Sequence, residues 1–281
     1  MDTNSPPLAV TGSTGSIGGA VAGHLARAGV PQRLLVRDVT RAPRLVGATV
    51  LTCSYADREA SVRALTGVHT LFMVSASESA DRRDQHRAFV DSAQSAGVRH
   101  IVYTSFVGAA PDATFTLARD HHATEEHVRG AGMEFTFLRD NMYLDFLEQL
   151  AGEDGVIRGP AGHGRVAAVA RADVARTAAA VLQEPTRHRD QTYQLTGPEA
   201  VTLAEVAELV SRVRGATVSY HDETEAEAYA SRQKWGAPDW QVDAWVSTYL
   251  AIASGELAQV SGDIERVTGR PPLSLAQLLS S

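Results

Sequence analysis

The sequence predicts an α/β protein with a doubly wound parallel sheet of the Rossmann type and a smaller, mainly helical C-terminal lobe. Two observations predict the sheet: a strand, a glycine-rich turn and a helix follow one another near the N-terminus, and strand-like and helix-like segments then alternate. A third observation, the largely helical pattern beyond Val218, predicts the lobe. We expect the Rossmann domain over residues 1–150, with residues from about 165 to 200 adding to its sheet, and the lobe over residues 151–281.

The elements of the sheet follow from short apolar runs separated by helical patterns. Strands are expected at residues 8–10, 34–36, 49–51, 70–74, 100–103 and 135–138, and helices most clearly at residues 80–96 and 121–131. In such a sheet the binding site lies at the carboxyl ends of the strands. The residues after each strand are therefore the first candidates for a site.

Composition excludes several classes of protein. The 281 residues are 44% hydrophobic, and 26 basic against 33 acidic residues give a net charge of −7. Because no basic run occurs, we expect no nucleic-acid partner and no anionic membrane surface as a partner. No apolar stretch could span a bilayer and no signal-peptide core is apparent, which predicts a cytoplasmic location. The single cysteine, Cys53, excludes an intrachain disulfide and any multi-cysteine metal site.

The first strand runs into a turn that predicts a dinucleotide seat. Gly12, Gly15 and Gly18 have G-x-x-G-x-x-G spacing, and an apolar helical stripe begins inside the turn. Glycine lets the backbone approach a diphosphate, and the following helix directs free N–H groups at it. The alternative, a glycine-rich surface turn, is disfavoured because another strand-like run follows about one βαβ unit later.

The end of the second strand bears on the choice between NADPH and NADH. A ribose 2′-phosphate favours an arginine there, and a free 2′-hydroxyl favours an acidic residue. Arg37 directly follows the strand, with Arg41 and Arg44 close behind, so NADPH with Arg37 as its main phosphate contact is favoured. Asp38 could instead accept from a hydroxyl, and a solvated arginine stays an open alternative.

The third, fourth and fifth strands end in further candidates. Tyr55 is a candidate wall for the adenine, although an ordinary helix-capping turn explains its segment equally well. The small residues at 75–77 would let the chain pass close to the ribose and nicotinamide. Thr104 is expected to contact the cofactor, and Ser105 stands where short-chain dehydrogenases place a hydroxyl beside the substrate carbonyl.

The usual acid of such enzymes is absent. No tyrosine has a lysine four residues later, the chain's only lysine is Lys234, and Leu117 lies in the segment where the pair normally falls. Carbonyl reduction by a tyrosine whose pKa a lysine lowers is therefore not expected. The cluster of His121, His122, Glu125 and His127 contains neither H-E-x-x-H nor its inverse, so no metal is expected.

Several segments taken in order resemble the NmrA-like branch of atypical short-chain dehydrogenases, and within it the group of type-two NADPH:quinone oxidoreductases and triphenylmethane reductases. The likeness covers essentially the whole chain. Each segment alone is a weak signal, but their order and spacing together are specific. They are residues 11–18, 35–37, 103–105, 121–125, 136–143, 169–175, 193–197 and 254–256.

The resemblance implies NADP(H) binding and hydride transfer to a quinone-like or cationic aromatic acceptor. His121 stands where the usual lysine would be, so it could hold the ribose or supply a proton, while Asn141 and Tyr143 could orient nicotinamide or substrate. Two departures affect the nicotinamide pocket: Asp140 and Asn141 replace a more usual asparagine and glycine, and Ala76 replaces an expected hydroxyl residue. The implied cofactor residues are Gly12, Ser13, Thr14, Gly15, Ser16, Ile17, Arg37, Ser75, Ala76, Ser77, Asn141 and Tyr143.

The C-terminal part contains all three tryptophans. A capping box at residues 202–205 predicts a helix start. Trp245 and Tyr249 are favoured as lobe core, but some of the rings, Trp235 and Trp240 included, are expected to wall a flat apolar pocket above the strand ends.

Taken together, the sequence predicts an NADPH-dependent reductase of quinones or other electron-poor aromatic acceptors that works without a tyrosine–lysine pair. Such acceptors need positioning more than acid catalysis. Two alternatives stay open: an NADP(H)-sensing regulator of the NmrA type, and a tailoring enzyme for an aromatic natural product. The expected partner is a small aromatic or quinone substrate. The subunit count is left open, with a homodimer among the options.

Overall fold

The structure is a computed structural model that describes residues 7–147 and 149–280. Its main feature is a seven-stranded sheet with the order β3-β2-β1-β4-β5-β6-β9. The ladders between β3, β2, β1, β4 and β5 are all parallel, so the predicted doubly wound Rossmann-type sheet is confirmed. The strands are β1 Leu8–Thr11, β2 Gln32–Val36, β3 Ala48–Thr52, β4 Thr70–Met73, β5 His100–Phe106, β6 Glu134–Asp140, β7 Val156–Gly159, β8 Arg165–Val166, β9 Gln191–Leu195, β10 Val201–Thr202 and β11 Ser219–Asp222.

Burial explains why the sequences of the central strands contain runs of consecutive apolar residues. Every residue of β1 and β2 is buried, as expected for parallel strands covered on both faces. The strand β3 lies at one end of the sheet and pairs only with β2. Its residues are mostly exposed, including the apolar Val50 and Leu51. The sheet therefore has a buried centre and a mostly exposed terminal strand at β3.

Helices connect the strands and make up most of the C-terminal part, in agreement with the predicted helical lobe. None of the helices in the described ranges is long and apolar enough to cross a membrane. The α-helices are α1 Ser16–Arg27, α2 Arg58–Leu65, α3 Arg82–Ser95, α4 Thr116–Gly130, α5 Leu144–Leu147, α6 Arg171–Gln183, α7 Leu203–Arg214, α8 Glu225–Arg232, α9 Asp239–Ala253, α10 Asp263–Thr268 and α11 Leu275–Leu279.

Two helix starts can be compared with the sequence. The predicted capping box of α7 is present, since Thr202 Oγ1 accepts from the Glu205 N–H and Glu205 accepts from the Thr202 N–H. Helix α4 begins at Thr116, earlier than the predicted start at residue 121. The cause is that Leu117, Ala118 and Arg119 are good helix formers. His121 is consequently an interior residue of α4.

The chain forms two compact units from interleaved segments. The first unit, called the sheet unit here, contains described residues 7–105, 122–139 and 174–193. Its core is built from β-strand and helix residues around Leu71, Phe89, Ile101 and Phe137. Residues from distant parts of the sequence therefore share one core.

The second unit, called the C-terminal unit here, contains described residues 106–121, 140–147, 149–173 and 194–280. Its core includes Leu147, Ile157, Leu203, Val206 and Ile252. Two small sheets lie within it, a parallel pair of β7 with β11 and an antiparallel pair of β8 with β10. The two units are not contiguous in sequence. The predicted linear division at residue 150 stays a prediction.

Candidate functional site

The glycine turn of the sheet unit is shaped for a close approach of a ligand to the backbone. Gly12 has a φ of +64°, and the Gly15 N–H donates to the Gly12 carbonyl at 2.9 Å. A Cβ at Gly18 would lie 2.4 Å from the Gly12 oxygen, so only glycine permits this packing of helix on turn. The three predicted glycines thus act together as one backbone feature.

The start of α1 is open to an anion. Gly15 is its N-cap, no side chain in the described part of the chain caps the helix, and its first turn contains no acidic residue. Thr14, Gly15 and Ser16 are exposed, whereas Ile17 and Ser13 are buried. Ser13 Oγ accepts or donates no hydrogen bond among the described residues. Free N–H groups, the positive end of the helix dipole and this unpartnered hydroxyl fit a pyrophosphate group.

Arg37 and Asp38 differ in how far their side chains are engaged. Arg37 is exposed just beyond β2 and forms no ion pair among the described residues. Asp38 Oδ1 accepts from the Thr40 N–H at 2.9 Å and from Thr40 Oγ1 at 2.7 Å. These hydrogen bonds lower the pKa of Asp38. The guanidinium is therefore available to a phosphate, while one carboxylate oxygen of Asp38 is already used.

Tyr55 is tied into the sheet unit by its hydroxyl. Tyr55 Oη donates to the Val74 carbonyl at 2.6 Å and lies 2.7 Å from Thr11 Oγ1. Its ring stacks on Phe89 at a centroid distance of 4.1 Å. Burial raises the pKa of Tyr55 well above its usual range. This side chain braces the ends of β1 and β4, and its predicted role as an adenine wall stays a prediction.

The loop at residues 75–77 is held by Thr104, which the sequence analysis named, and by His86, which it did not single out. The Ser75 N–H donates to Thr104 Oγ1 at 2.8 Å, and the Ala76 N–H donates to His86 Nε2 at 2.9 Å. Burial lowers the pKa of His86 to about 3, so its imidazole is neutral. Since Nε2 accepts, Nδ1 carries the proton and donates to Thr124 Oγ1 at 2.9 Å. His86 thereby fixes the loop.

Ser105 belongs to a buried ionic cluster. Its hydroxyl donates to Glu125 Oε1 at 2.6 Å. Arg139 binds the same carboxylate in a bidentate manner at 2.8 and 2.7 Å, and Arg129 approaches it at 3.4 Å. The Glu125 side chain is 0% exposed. The Ser105 proton is therefore committed to Glu125, and only the oxygen lone pairs remain for a ligand.

The histidines beside Glu125 do not form a metal site. His127 Nε2 lies 2.7 Å from Asp91 Oδ1, whereas Glu125 is used by Ser105 and Arg139. Within residues 7–147 and 149–280, no cluster of His, Cys, Asp or Glu is arranged to hold a metal ion.

In the C-terminal unit, Asn141 binds its own surroundings. Its Nδ2 donates to the Leu257 carbonyl at 3.0 Å, and its Oδ1 accepts from the Met142 N–H at 2.8 Å. Asn141 is buried, and its own N–H donates to the Leu195 carbonyl at 3.0 Å. The side chain thus fixes the segment that leads to Tyr143.

Tyr143 pairs with a carboxyl group that the sequence did not identify as functional. Its Oη lies 2.9 Å from Asp140 Oδ2, and the Arg171 guanidinium lies 4.9 Å from the centroid of its ring. Burial raises the pKa of Asp140 to about 8 and, together with the neighbouring Asp140, raises that of Tyr143. The only hint in the sequence was the departure of Asp140 from the family pattern.

His121 lies among aromatic rings. It is buried, and its ring centroid is 6.2 Å from that of Phe106, which in turn lies 4.9 Å from Phe115. All three residues belong to the C-terminal unit. Its predicted action on ribose or proton stays a prediction.

The tryptophans differ in exposure. Trp235 is 58% exposed and forms an edge-to-face pair with Trp245 at 5.5 Å. Tyr249 packs on the core of the C-terminal unit, under the Arg232 guanidinium at 5.1 Å. Tyr249 therefore has the lobe-core environment that the sequence favoured, whereas Trp235 is largely exposed and has the Lys234 ammonium 5.3 Å from its ring centroid.

The predicted residues fall into two sets, one in each unit. In the sheet unit, four candidate groups lie at the ends of strands. They are the glycine turn after β1, Arg37 after β2, the loop at 75–77 after β4, and the pair Thr104 and Ser105 at the end of β5. In the C-terminal unit, Asn141 and Tyr143 follow β6, and His121 lies on α4. The first set has the backbone and side-chain groups that the prediction of a dinucleotide seat requires, and the second contains titratable and aromatic groups.

Comparison with known proteins places these features in context. The NmrA-like family matches the chain over residues 5–232. In sequence, the chain is similar to quinone oxidoreductase 2 of Escherichia coli strain K12, with 33% identity over 280 residues and 97% of each protein covered.

Two crystal structures show the same fold over nearly the whole chain. One is the NADPH-dependent quinone oxidoreductase of Escherichia coli complexed with NADPH, with a TM-score of 0.89, 33% identity and coverage of 97% of this chain and 98% of that chain. The other is the triphenylmethane reductase of Citrobacter sp. complexed with NADP(H), with a TM-score of 0.86, 32% identity and coverage of 97% and 99%.

Proposed function

The chain belongs to the NmrA-like family, and from this premise we propose that it transfers a hydride from NADPH to a quinone-like or other electron-poor aromatic acceptor. It is an NADPH-dependent oxidoreductase, like the relatives that it matches over nearly their full length. The observation that carries the proposal is the glycine turn with the uncapped start of α1, which has the donors and the space for a pyrophosphate.

The proposed cofactor residues all come from the sequence predictions. When bound, the reduced nicotinamide supplies the hydride. The glycine turn and the start of α1 would hold the pyrophosphate, and Arg37 would bind the 2′-phosphate. The loop that His86 fixes would contact the nicotinamide half of the cofactor. The proposed set is Gly12, Ser13, Thr14, Gly15, Ser16, Ile17, Arg37, Tyr55, Ser75, Ala76, Ser77, Thr104, Asn141 and Tyr143.

The preference for NADPH rests on the unequal state of two neighbouring side chains. Asp38 accepts both hydrogen bonds from Thr40 at Oδ1, which leaves only Oδ2 fully open to a ribose hydroxyl. Arg37 has an open guanidinium, which suits the doubly charged 2′-phosphate.

Arg37→Ala is therefore expected to raise the KM for NADPH about 10- to 100-fold and to leave that for NADH unchanged, since a charge-assisted hydrogen bond contributes about 1.5–3 kcal/mol. Steady-state kinetics with both cofactors measure this. Arg63→Ala is the matched control, because Arg63 is an exposed arginine of the same unit that pairs with Glu59. Equal losses with NADPH and NADH would contradict the role of Arg37.

The acceptor side needs little chemistry from the protein. Quinones and aromatic cations accept a hydride readily, so orientation is the main requirement. We assign orientation to His121, Asn141, Tyr143 and Ser105, with Ser105 acting through its lone pairs because Glu125 holds its proton.

The proposed function is tested by following NADPH oxidation with a panel of benzoquinones, naphthoquinones and cationic triphenylmethane dyes. We expect NADPH consumption only when an acceptor is added, with stoichiometric formation of hydroquinone or leuco dye. Tight NADPH binding without turnover on any acceptor would overturn the reductase proposal and indicate a sensing protein.

A further inference from the structure

We propose that Tyr143 and Asp140 form a proton-donating pair, in which the Tyr143 hydroxyl gives a proton to the oxygen of a reduced acceptor and Asp140 replaces it. The proposal rests on the proposed function, because it names a catalytic residue, Tyr143, and a positioning residue, Asp140, for that reaction. It supplies the acid that the missing tyrosine–lysine pair would provide.

The geometry of the pair is the first support. Asp140 is 2% exposed at the end of β6, and its Oδ2 lies 2.9 Å from Tyr143 Oη. Its other oxygen, Oδ1, has no hydrogen-bond partner among the described residues. Buried carboxylates normally accept several hydrogen bonds, so a carboxylate with one donor is an unfavourable state here.

The protonated state resolves this imbalance. Burial raises the pKa of Asp140 to about 8, so the group is mainly a carboxylic acid at neutral pH. A carboxylic proton needs an acceptor, and Tyr143 Oη lies within hydrogen-bond distance of Asp140 Oδ2, whereas Oδ1 has no partner among the described residues. When Asp140 donates to this oxygen, the phenolic proton of Tyr143 is free to donate elsewhere.

The groups around the phenol act in both directions, since burial and an ionised Asp140 raise the pKa of Tyr143 whereas Arg171 lowers it. The Arg171 guanidinium lies 4.9 Å from the Tyr143 ring centroid and stabilises a developing phenolate. Asp145 opposes this effect, although its Oδ2 also accepts from the Arg171 N–H at 2.9 Å.

Reduction of a quinone requires both a hydride and a proton. The hydride brings two electrons and one hydrogen to the acceptor, which becomes a hydroquinone anion. Its oxygen takes the phenolic proton as the Tyr143 O–H bond breaks, and the Asp140 proton moves to Tyr143 Oη. Asp140 is left as a carboxylate and regains a proton from water.

This chemistry separates two classes of acceptor. A quinone needs a proton in addition to the hydride, whereas a triphenylmethane cation becomes a neutral leuco compound with the hydride alone. The pair is therefore needed for the first acceptor and dispensable for the second.

The activity test compares Asp140→Asn and Tyr143→Phe with the wild type on both acceptors. We expect a loss of about 100-fold in kcat for the quinone, within the range of general acid catalysis, and a loss for the dye that is at least about tenfold smaller. Asp154→Asn is the matched control, because Asp154 is an exposed carboxylate of the same unit that pairs with Arg158. Equal losses on both acceptors, or none on either, would overturn the proposal.

A second measurement does not depend on turnover. The protonated Asp140 carboxyl should give an infrared carbonyl band that is lost as pH rises through about 8 and that is absent from Asp140→Asn. The folded pKa lies above the unfolded value of about 3.9. As pH rises between these values, the carboxyl ionises in the unfolded chain but stays protonated in the folded one, so the folded wild type loses stability. The melting temperature of Asp140→Asn should therefore rise relative to that of the wild type as pH increases over this range.

These readouts distinguish the two hypotheses. A wild type that reduces no acceptor but shows the carboxyl band refutes the proposed function and, with it, the proton donation. A wild type that reduces quinones but has an ionised Asp140 at pH 6 refutes the pair alone.

Discussion

Glu125→Ala is expected to lower the free energy of unfolding by about 3–5 kcal/mol, the usual effect of removing one partner of a buried ion pair. Glu125 is fully buried and receives hydrogen bonds from Ser105, Arg139 and Arg129. Its removal would leave the partly buried Arg139 without its counter-charge and Ser105 without an acceptor. Urea unfolding, followed by circular dichroism, measures the change.

Two further variants separate the effect of the buried charge from that of an exposed ion pair. Glu125→Gln keeps an acceptor for Ser105 but loses the charge, so a smaller loss of about 1–3 kcal/mol is expected. Glu59→Ala removes the carboxylate of an exposed pair with Arg63 and should change stability by no more than about 0.5 kcal/mol. A loss for Glu125→Ala as small as that for Glu59→Ala would show that the buried cluster contributes little to stability.

Gly18→Ala is expected to weaken NADPH binding at least about 100-fold, or about 2.7 kcal/mol. The added Cβ would lie 2.4 and 2.5 Å from the Gly12 oxygen and carbonyl carbon, which are backbone atoms and cannot rotate away. The turn or the start of α1 must therefore move, at a cost of about 1–3 kcal/mol in stability. Calorimetric titration with NADPH and thermal unfolding measure the two effects.

The control lies in the same helix. At Gly23 a Cβ would meet only the end of the Arg27 side chain, at an ordinary 3.5 Å. Gly23→Ala should leave NADPH affinity unchanged and stabilise the helix by up to about 1 kcal/mol. If Gly18→Ala bound NADPH as the wild type does, the turn could not be the pyrophosphate seat.

The sheet and the glycine turn could be predicted because their signals are local. Apolar runs, helical periodicity and the spacing of Gly12, Gly15 and Gly18 are all readable within a few residues. The start of α4 was predicted too late, because Leu117 and Ala118 are helix formers and extend the helix toward the N-terminus beyond the cluster of histidines.

The groups that fix the site could not be found in this way. His86 contacts Ala76 from ten residues away and Thr124 from 38 residues away, and Glu125 meets Ser105 across 20 residues. Asp140 has its raised pKa because folding removes it from water, and its neighbours in sequence give no sign of this. Such properties arise from tertiary burial alone.

The open side of β3 has a consequence for the behaviour of the protein at high concentration. A terminal strand presents unpaired N–H and C=O groups along its outer side, and here Val50 and Leu51 add exposed apolar surface. Extended segments of other molecules can pair with such a strand and lengthen the sheet. Aggregation on storage or heating should therefore begin there, and a lysine in place of Val50 would slow it.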